Sequence, residues 1–303
     1  MKRIGDRIFK SVAFLSALLV VLLVVIIGVL LYMESRAAMD RFGFLGFIFR
    51  DVWNPVEDEF GGLFAVVGTL LSSAIAIVIA TPVSIGVAIF ITELSPSSLR
   101  GLLSAIIELL AAIPSIIYGM WGLFVLAPIL RHSVEPWMIE HFGFIPFLGG
   151  KPYGIGLLNA GIVLSIMIIP YISSIVREVF SLVPDVMKEA AYAVGATRWE
   201  VVRNVVIPYT RSGIMAGVIL GLGRALGETM AVTFVIGNAY RIPSTIYEPS
   251  ITIASSLANE FTEATSTLHL SSLFFLAFVL FLITFVVMSL GRLIIMRMQR
   301  HGV

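Results

Sequence analysis

The chain has 303 residues, 58% of them hydrophobic and 13% charged, with a formal net charge of +1 and a mean hydropathy of +1.02. A soluble domain averages about 45–50% apolar and about 25% charged, so this composition excludes a water-soluble globular protein and points to an all-α integral membrane protein. With no cysteines there can be no disulfide or thiolate metal site. His132, His141, His269 and His301 lack metal-ligand spacing, and no nucleic-acid partner is expected.

A helix crossing the hydrocarbon core needs about 20 apolar residues. Six stretches qualify: 12–33, 62–92, 101–130, 154–176, 212–238 and 271–296. They are continuous apolar runs, unlike the alternating strands of a membrane β-barrel. They leave one transmembrane domain, 1–303, with little room for a soluble one.

Lys2, Arg3, Arg7 and Lys10 precede the first run, Val12 to Met33. A signal peptide's apolar region is about 7–15 residues, so this longer run reads as a retained helix. With six spans, both termini share a face. That face holds 1–11, 93–100, 177–211 and 292–303 and carries 13 Lys/Arg. The opposite face carries 6 Lys/Arg and 11 Asp/Glu, so the positive-inside rule puts both termini in the cytoplasm. Trp53, Trp137, Tyr153 and Tyr240 fall near the outer boundaries.

Pro82, Pro114, Pro128 and Pro170 interrupt apolar spans. Neighbouring helices can absorb such kinks, or the prolines act as hinges. Glu108, in "AIIELLAAIP", is an intramembrane charge near the cytoplasmic end of span three. It reads as the partner of an arginine or as a gate element. The outer segment 131–153 is amphipathic and suits the membrane surface or a soluble partner, and 251–264 reads as a short outer helix. No internal repeat is visible, which disfavours an inverted-repeat carrier.

The long cytoplasmic connection, Val183 to Gly213, reads as two short helices. Pro184 and Asp185 open the first and Gly195 ends it. Thr197 with Glu200 forms a capping box for the second, and Pro208 terminates it. Span five then carries "LGLGRALGETMAV", Leu220 to Val232. Each charge at a span centre costs about 2.5–3.5 kcal/mol on insertion scales. Arg224 and Glu228, one helical turn apart, can share a face and pair. A dry ion pair seldom adds stability over apolar side chains, so the pair reads either as a register device or as part of an anion pathway. A guanidinium's forked donors suit phosphate oxygens. Gly217/Gly221 and Gly223/Gly227 have the spacing of close helix–helix contact, which reads as an interface with another subunit.

The spacing Glu189-Ala190-Ala191, three residues, Gly195, nine residues, Val205, one residue, Ile207-Pro208 resembles the EAA loop of ABC importer permeases, EAA-x3-G-x9-I-x-L-P. The departures are Val for Ile and Ile for Leu. "GLGRALGETMAVTFVIGNA", "ELLAAIPSIIYGMWGLFVLAP" and "GTLLSSAIAIVIATPVSIGVAIFITELSP" resemble phosphate importer permeases of the PstC type. The resemblance covers most of the chain from residue 62 onward. It implies a MetI-like, type I importer fold in a bacterial or archaeal cytoplasmic membrane. It also implies a PstA-like second permease, two ATPase subunits and an extracytoplasmic phosphate-binding protein. Glu189, Ala190, Ala191, Gly195 and Pro208 would couple to the ATPase, and Arg224 and Glu228 would serve phosphate passage. The chain has no G-x4-G-K-[ST] loop, so it is expected to bind no cofactor and to be no enzyme. ATP and Mg would belong to the partner ATPase. Permeases for sulfate, molybdate or phosphonate are the alternative, and a self-contained ion-coupled carrier a further one.

Overall fold

The computed structural model describes residues 2–300. The side chains of Lys2, Arg3, Arg7 and Arg300, which contribute to the basic bias, lie outside the described residues, as does His301. The elements in chain order are α1 (Lys2–Glu34), α2 (Arg36–Phe42), α3 (Phe44–Phe49), the hairpin β1 (Trp53–Asn54) and β2 (Glu59–Phe60), α4 (Leu63–Ile89), α5 (Ser97–Ala111), α6 (Ser115–Trp121), α7 (Ala127–Ile129), α8 (Glu135–Phe142), α9 (Leu157–Ser181), α10 (Asp185–Ala193), α11 (Arg198–Val201), α12 (Ile207–Leu226), α13 (Met230–Val235), α14 (Ile253–Glu260) and α15 (Thr267–Arg300). Six helical stretches are long and apolar enough to cross a membrane: Ile8–Glu34, Leu63–Leu94, Ser115–Phe142, Leu157–Ser181, Arg198–Leu226 and Thr267–Gln299.

Two of these differ from the spans expected from sequence. The run 101–130 does not form one helix. Pro114 disfavours helical geometry at Ile113, α5 ends at Ala111, and a new helix begins at Ser115. The run 212–238 is also divided, because α12 stops at Leu226 and α13 is a separate short helix. Pro82 and Pro170, by contrast, lie inside the uninterrupted helices α4 and α9. The two helices meet at these prolines, where Ser84 Oγ donates to Ile169 O at 3.2 Å.

Lipid tails are as apolar as leucine, so membrane helices are held together by close fit rather than by escape from water. The fit centres on α9. In its most apolar window 67% of residues are buried, against 28% or less in the other five spans. Gly161 of α9 receives Ile75 of α4. On α12, Gly213, Gly217 and Gly221 recur every four residues and receive Val179, Ile175 and Ile172 of α9. The glycines expected to face another subunit therefore seat a helix of the same chain. Gly223 faces Met288 of α15, and Gly227 is open.

α1 stands at the rim, with none of its apolar window buried. It runs antiparallel to α15: Gly28 meets Phe281, Tyr32 packs on Phe278 at 5.8 Å, and Ser271 Oγ donates to Glu34 O at 2.7 Å. The first turn of α1 and the last turn of α15 thus lie at one end of the bundle.

At the opposite end, the hairpin, α14 and the loop after α13 fold into a second apolar core around Phe47, Phe60, Phe64 and Phe275. One carboxylate organises its polar part. Glu260 Oε2 accepts from Trp53 Nε1 at 2.7 Å and lies 2.8 Å from His269 Nε2. Tyr240 stacks on Trp53 at 5.9 Å. Burial, and then its hydrogen bond to Glu260, push the Tyr240 hydroxyl well above its ordinary pKa. Trp53 and Tyr240 are thus packed partners rather than isolated interfacial anchors. In the outer segment 131–153, Glu135 is 1% exposed and accepts from Tyr153 N and Gly154 N at 2.7 and 2.9 Å. α14 lies within the short outer helix expected at 251–264.

The loop before α14 crosses α4 at Gly68, where a Cβ would come 2.0 Å from Ile251 O. Backbone cannot yield as a side-chain tip can. Gly68→Ala is therefore expected to lower the stability of the purified protein by roughly 1–3 kcal/mol, the range for overpacking. An unchanged thermal midpoint would remove this contact from the account.

Candidate functional site

The elbow at the termini-bearing end begins with α10, which follows Val183-Pro184. Its end is a Schellman motif. Gly195 adopts φ +87°, its N–H bonds to Tyr192 O at 2.9 Å, and Ala196 N–H bonds to Ala191 O at 3.1 Å. Both Ala191 and Ala196 pack against the main core. The spacing between the EAA triplet and its glycine is therefore a helix-termination geometry. Glu189 and Ala190 are exposed. Around them Val186 (74% exposed), Val194 (86%) and Trp199 (61%) face outward, an apolar display that the chain itself leaves uncovered.

After Gly195 the capping box is present: Thr197 N donates to Glu200 Oε2 at 2.8 Å, and Glu200 N donates to Thr197 Oγ1 at 3.4 Å. Pro208 does not end the helix that follows, contrary to the sequence expectation. A wide π turn, Val202–Val206, precedes it, and Ile207 N–H reaches back to Val202 O. Proline is tolerated in a first turn, where its missing N–H is not needed, and α12 opens with Pro208 in that position. The elbow is thus one short helix joined to the base of span five.

At the far end of α12 the two charges occupy different structural contexts. Arg224 is in the last turn, roughly 24 Å along the axis from Pro208 at 1.5 Å per residue. Glycine is a poor helix former, and the helix ends at Gly227. Glu228 lies in the break, where its Oε1 accepts from Ala231 N at 3.3 Å in the first turn of α13. A cation near a helix C-terminus and an anion near an N-terminus are each favourable by about 0.3–1 kcal/mol. The expected Arg224–Glu228 ion pair is not formed among the described residues, because the break removes the shared helical face. Instead the Arg224 guanidinium lies over the Tyr171 ring of α9, 5.8 Å from its centroid. Arg224, Leu220 and Gly227 are exposed among the described residues.

Glu108 is on α5 and outside the span, with its side chain 62% exposed. Its Oε1 accepts from Arg177 Nη2 at 2.9 Å. Sequence reasoning did not reach Tyr171 as the partner of Arg224, nor a second ion pair, Lys188–Glu93. Neither has a local signature, since each joins residues far apart in the chain. Among the described residues no group of three or more His, Cys, Asp or Glu could hold a metal ion.

Residues 80–300 match the family of binding-protein-dependent transport system inner membrane components. The chain belongs to this family and is a multi-pass permease subunit of an ABC transporter, not an enzyme. Its curated relatives include the phosphate transport system permease protein PstC of Mesorhizobium japonicum, 52% identical over 298 residues (97% of this chain, 91% of that one). That of Pasteurella multocida is 50% identical over 299 residues (97% and 93%). A probable PstC from Methanocaldococcus jannaschii is 38% identical over 299 residues (97% and 94%). The fold resembles a chain of the MetNI methionine ABC transporter in an inward-facing crystal form. The TM-score is 0.58 at 17% identity, over 82% of this chain and 99% of that one. A bacterial alginate ABC transporter gives 0.54 at 17% identity, over 78% and 79%. The elbow, Glu108, Arg224 and Glu228 all lie inside the family match, and α1 with the hairpin lies outside it.

Separate roles for the two charges make a quantitative prediction. In a double-mutant cycle of Arg224→Gln and Glu228→Gln, read by thermal unfolding, the coupling is expected to stay below about 0.5 kcal/mol, the additivity of residues that do not interact. A larger favourable coupling would restore the ion pair.

Proposed function

We propose that the chain is the membrane-spanning permease subunit of an ATP-driven inorganic phosphate importer. It would form half of the translocation pathway and receive the ATPase through the elbow. The observation that carries this reading is near-full-length similarity to three PstC proteins at 38–52% identity. The exposed elbow and the exposed Arg224 are physically consistent with it. The complex would contain a PstA-like second permease facing Arg224, two ATPase subunits that bind ATP and Mg, and an extracytoplasmic phosphate-binding protein. Both termini and the elbow would be cytoplasmic, as the excess of Lys/Arg on that face requires.

In this reading Arg224 attracts the anion. It rests on a π face, which holds a cation without neutralising it, and so stays available to a phosphate oxygen. Glu228 fixes the break that presents it. Glu189, Ala190, Ala191 and Gly195 form the docking helix, Pro208 starts the span that carries its motion, and Glu108 ties α5 to α9 beside it.

In the assembled complex reconstituted in liposomes, with phosphate-loaded binding protein outside, Arg224→Gln is expected to abolish ATP-dependent phosphate uptake while leaving assembly intact. Uptake at unchanged affinity would remove Arg224 from the pathway. Stimulation of the ATPase by sulfate-, molybdate- or phosphonate-loaded binding protein, and not by the phosphate-loaded form, would move the assignment to that anion.

Gly195 provides a test of docking. A Cβ there meets no atom within 4 Å, so backbone conformation and not space restricts it. Asparagine tolerates the left-handed region, so Gly195→Asn should couple normally. Gly195→Trp should insert and assemble but lose uptake through bulk on the docking face. Normal uptake by the tryptophan variant would place docking elsewhere.

A further inference from the structure

The elbow is fastened to the body by two kinds of contact. Ala191 and Ala196 make the apolar one. The other is polar: Lys188 Nζ lies 2.7 Å from Glu93 Oε1, with the side chains only 18% and 9% exposed. Lys188 immediately precedes the EAA triplet. Glu93 lies in the π turn Phe90–Leu94 that ends α4. The pair therefore joins residues 95 positions apart in the chain, one in the coupling elbow and the other at the foot of a membrane span.

Its surroundings are open. A cavity of about 710 Å³ lies beside it, lined also by Arg100, Ser104, Arg177 and Asp185. Another, of about 770 Å³, includes both residues and extends to Ser95, Tyr192 and Arg198. The pair stands where these two spaces meet. The larger share of charge around the first cavity is carboxylate, which disfavours it as a resting place for an anion.

Stability alone is a poor reason for this arrangement. A well-packed apolar pair would usually stabilise at least as well as a desolvated ion pair. What an ion pair adds is a directional contact of fixed length, here between the elbow and the π turn at the end of α4. α4 packs against α9 along its length, and Ile77 of α4 also approaches Gly221 of α12, one turn from Arg224.

We propose that Lys188–Glu93 is a transmission link that makes the foot of α4 follow the elbow, so that movement of the docked ATPase reaches the helices around Arg224. Both are positioning residues, since neither touches the transported anion. The inference rests on the permease reading above.

The test measures phosphate taken up per ATP hydrolysed by the complete complex in liposomes with phosphate-loaded binding protein. Lys188→Met and Glu93→Gln should each assemble with the ATPase yet lower this ratio about tenfold, within the range of a coupling free energy between sites. The exchanged pair, Lys188→Glu with Glu93→Lys, should recover most of the loss, which a merely structural role would not predict. An unchanged ratio in both single variants overturns the link. So does an exchanged pair that assembles poorly or couples no better than the single variants. If the unaltered complex takes up no phosphate, the importer reading falls and the link falls with it.

Discussion

The structure depends on how closely other helices can approach α9. Lipid offers apolar side chains as good an environment as a protein core does, so association has to come from contact at short range. The three glycines of α12 and Gly161 of α9 provide it, each admitting a β-branched side chain of the facing helix. This fit sets the rotation of α12. With its glycine edge against α9, α12 keeps Leu220, Arg224 and Gly227 exposed. The same face that seats α9 carries Arg224, one turn beyond Gly221, and lays its guanidinium over Tyr171 of that helix.

The helix break then determines what the two charges do. Had α12 continued through Gly227, Arg224 and Glu228 would have faced each other one turn apart. Because it stops, each lies at a helix end that its charge complements, and Glu228 turns to the backbone of α13. The arginine is left with an aromatic face. A carboxylate partner would compete with an incoming anion much more strongly than a ring does, so the break favours a receptive guanidinium.

The elbow shows how a sequence pattern can serve folding and function together. Ala191, Gly195 and Ala196 close α10 and seat it on the core, while Glu189 and Ala190 face outward beside exposed apolar residues. The EAA-to-glycine spacing is thereby explained by local hydrogen bonding before any partner is invoked. The helical stretch capped by Thr197 continues through the π turn Val202–Val206 and Pro208 into span five, giving the elbow a continuous helical connection to it. Lys188–Glu93 gives it a second connection, to α4.

The sequence by itself determined the membrane class, the number of spans, the capping box at Thr197, the helix end at Gly195 and the importer family. These are matters of apolar length, charge and local hydrogen bonding, which neighbouring residues fix together. It read 101–130 and 212–238 as continuous and Pro208 as a helix end, whereas the chain breaks at Pro114 and Gly227 and runs on through Pro208, because each of these residues permits either continuation or interruption. It assigned the span-five glycines to another subunit, where three glycines of α12 meet α9 of the same chain, and left open whether Arg224 would pair with Glu228. Only the tertiary structure decided these, along with Tyr171 beneath Arg224 and Glu93 against Lys188. The physical reason is that the glycine contacts, Tyr171–Arg224 and Glu93–Lys188 each join residues dozens of positions apart, set by the rotation and depth of packed helices, which no local pattern records.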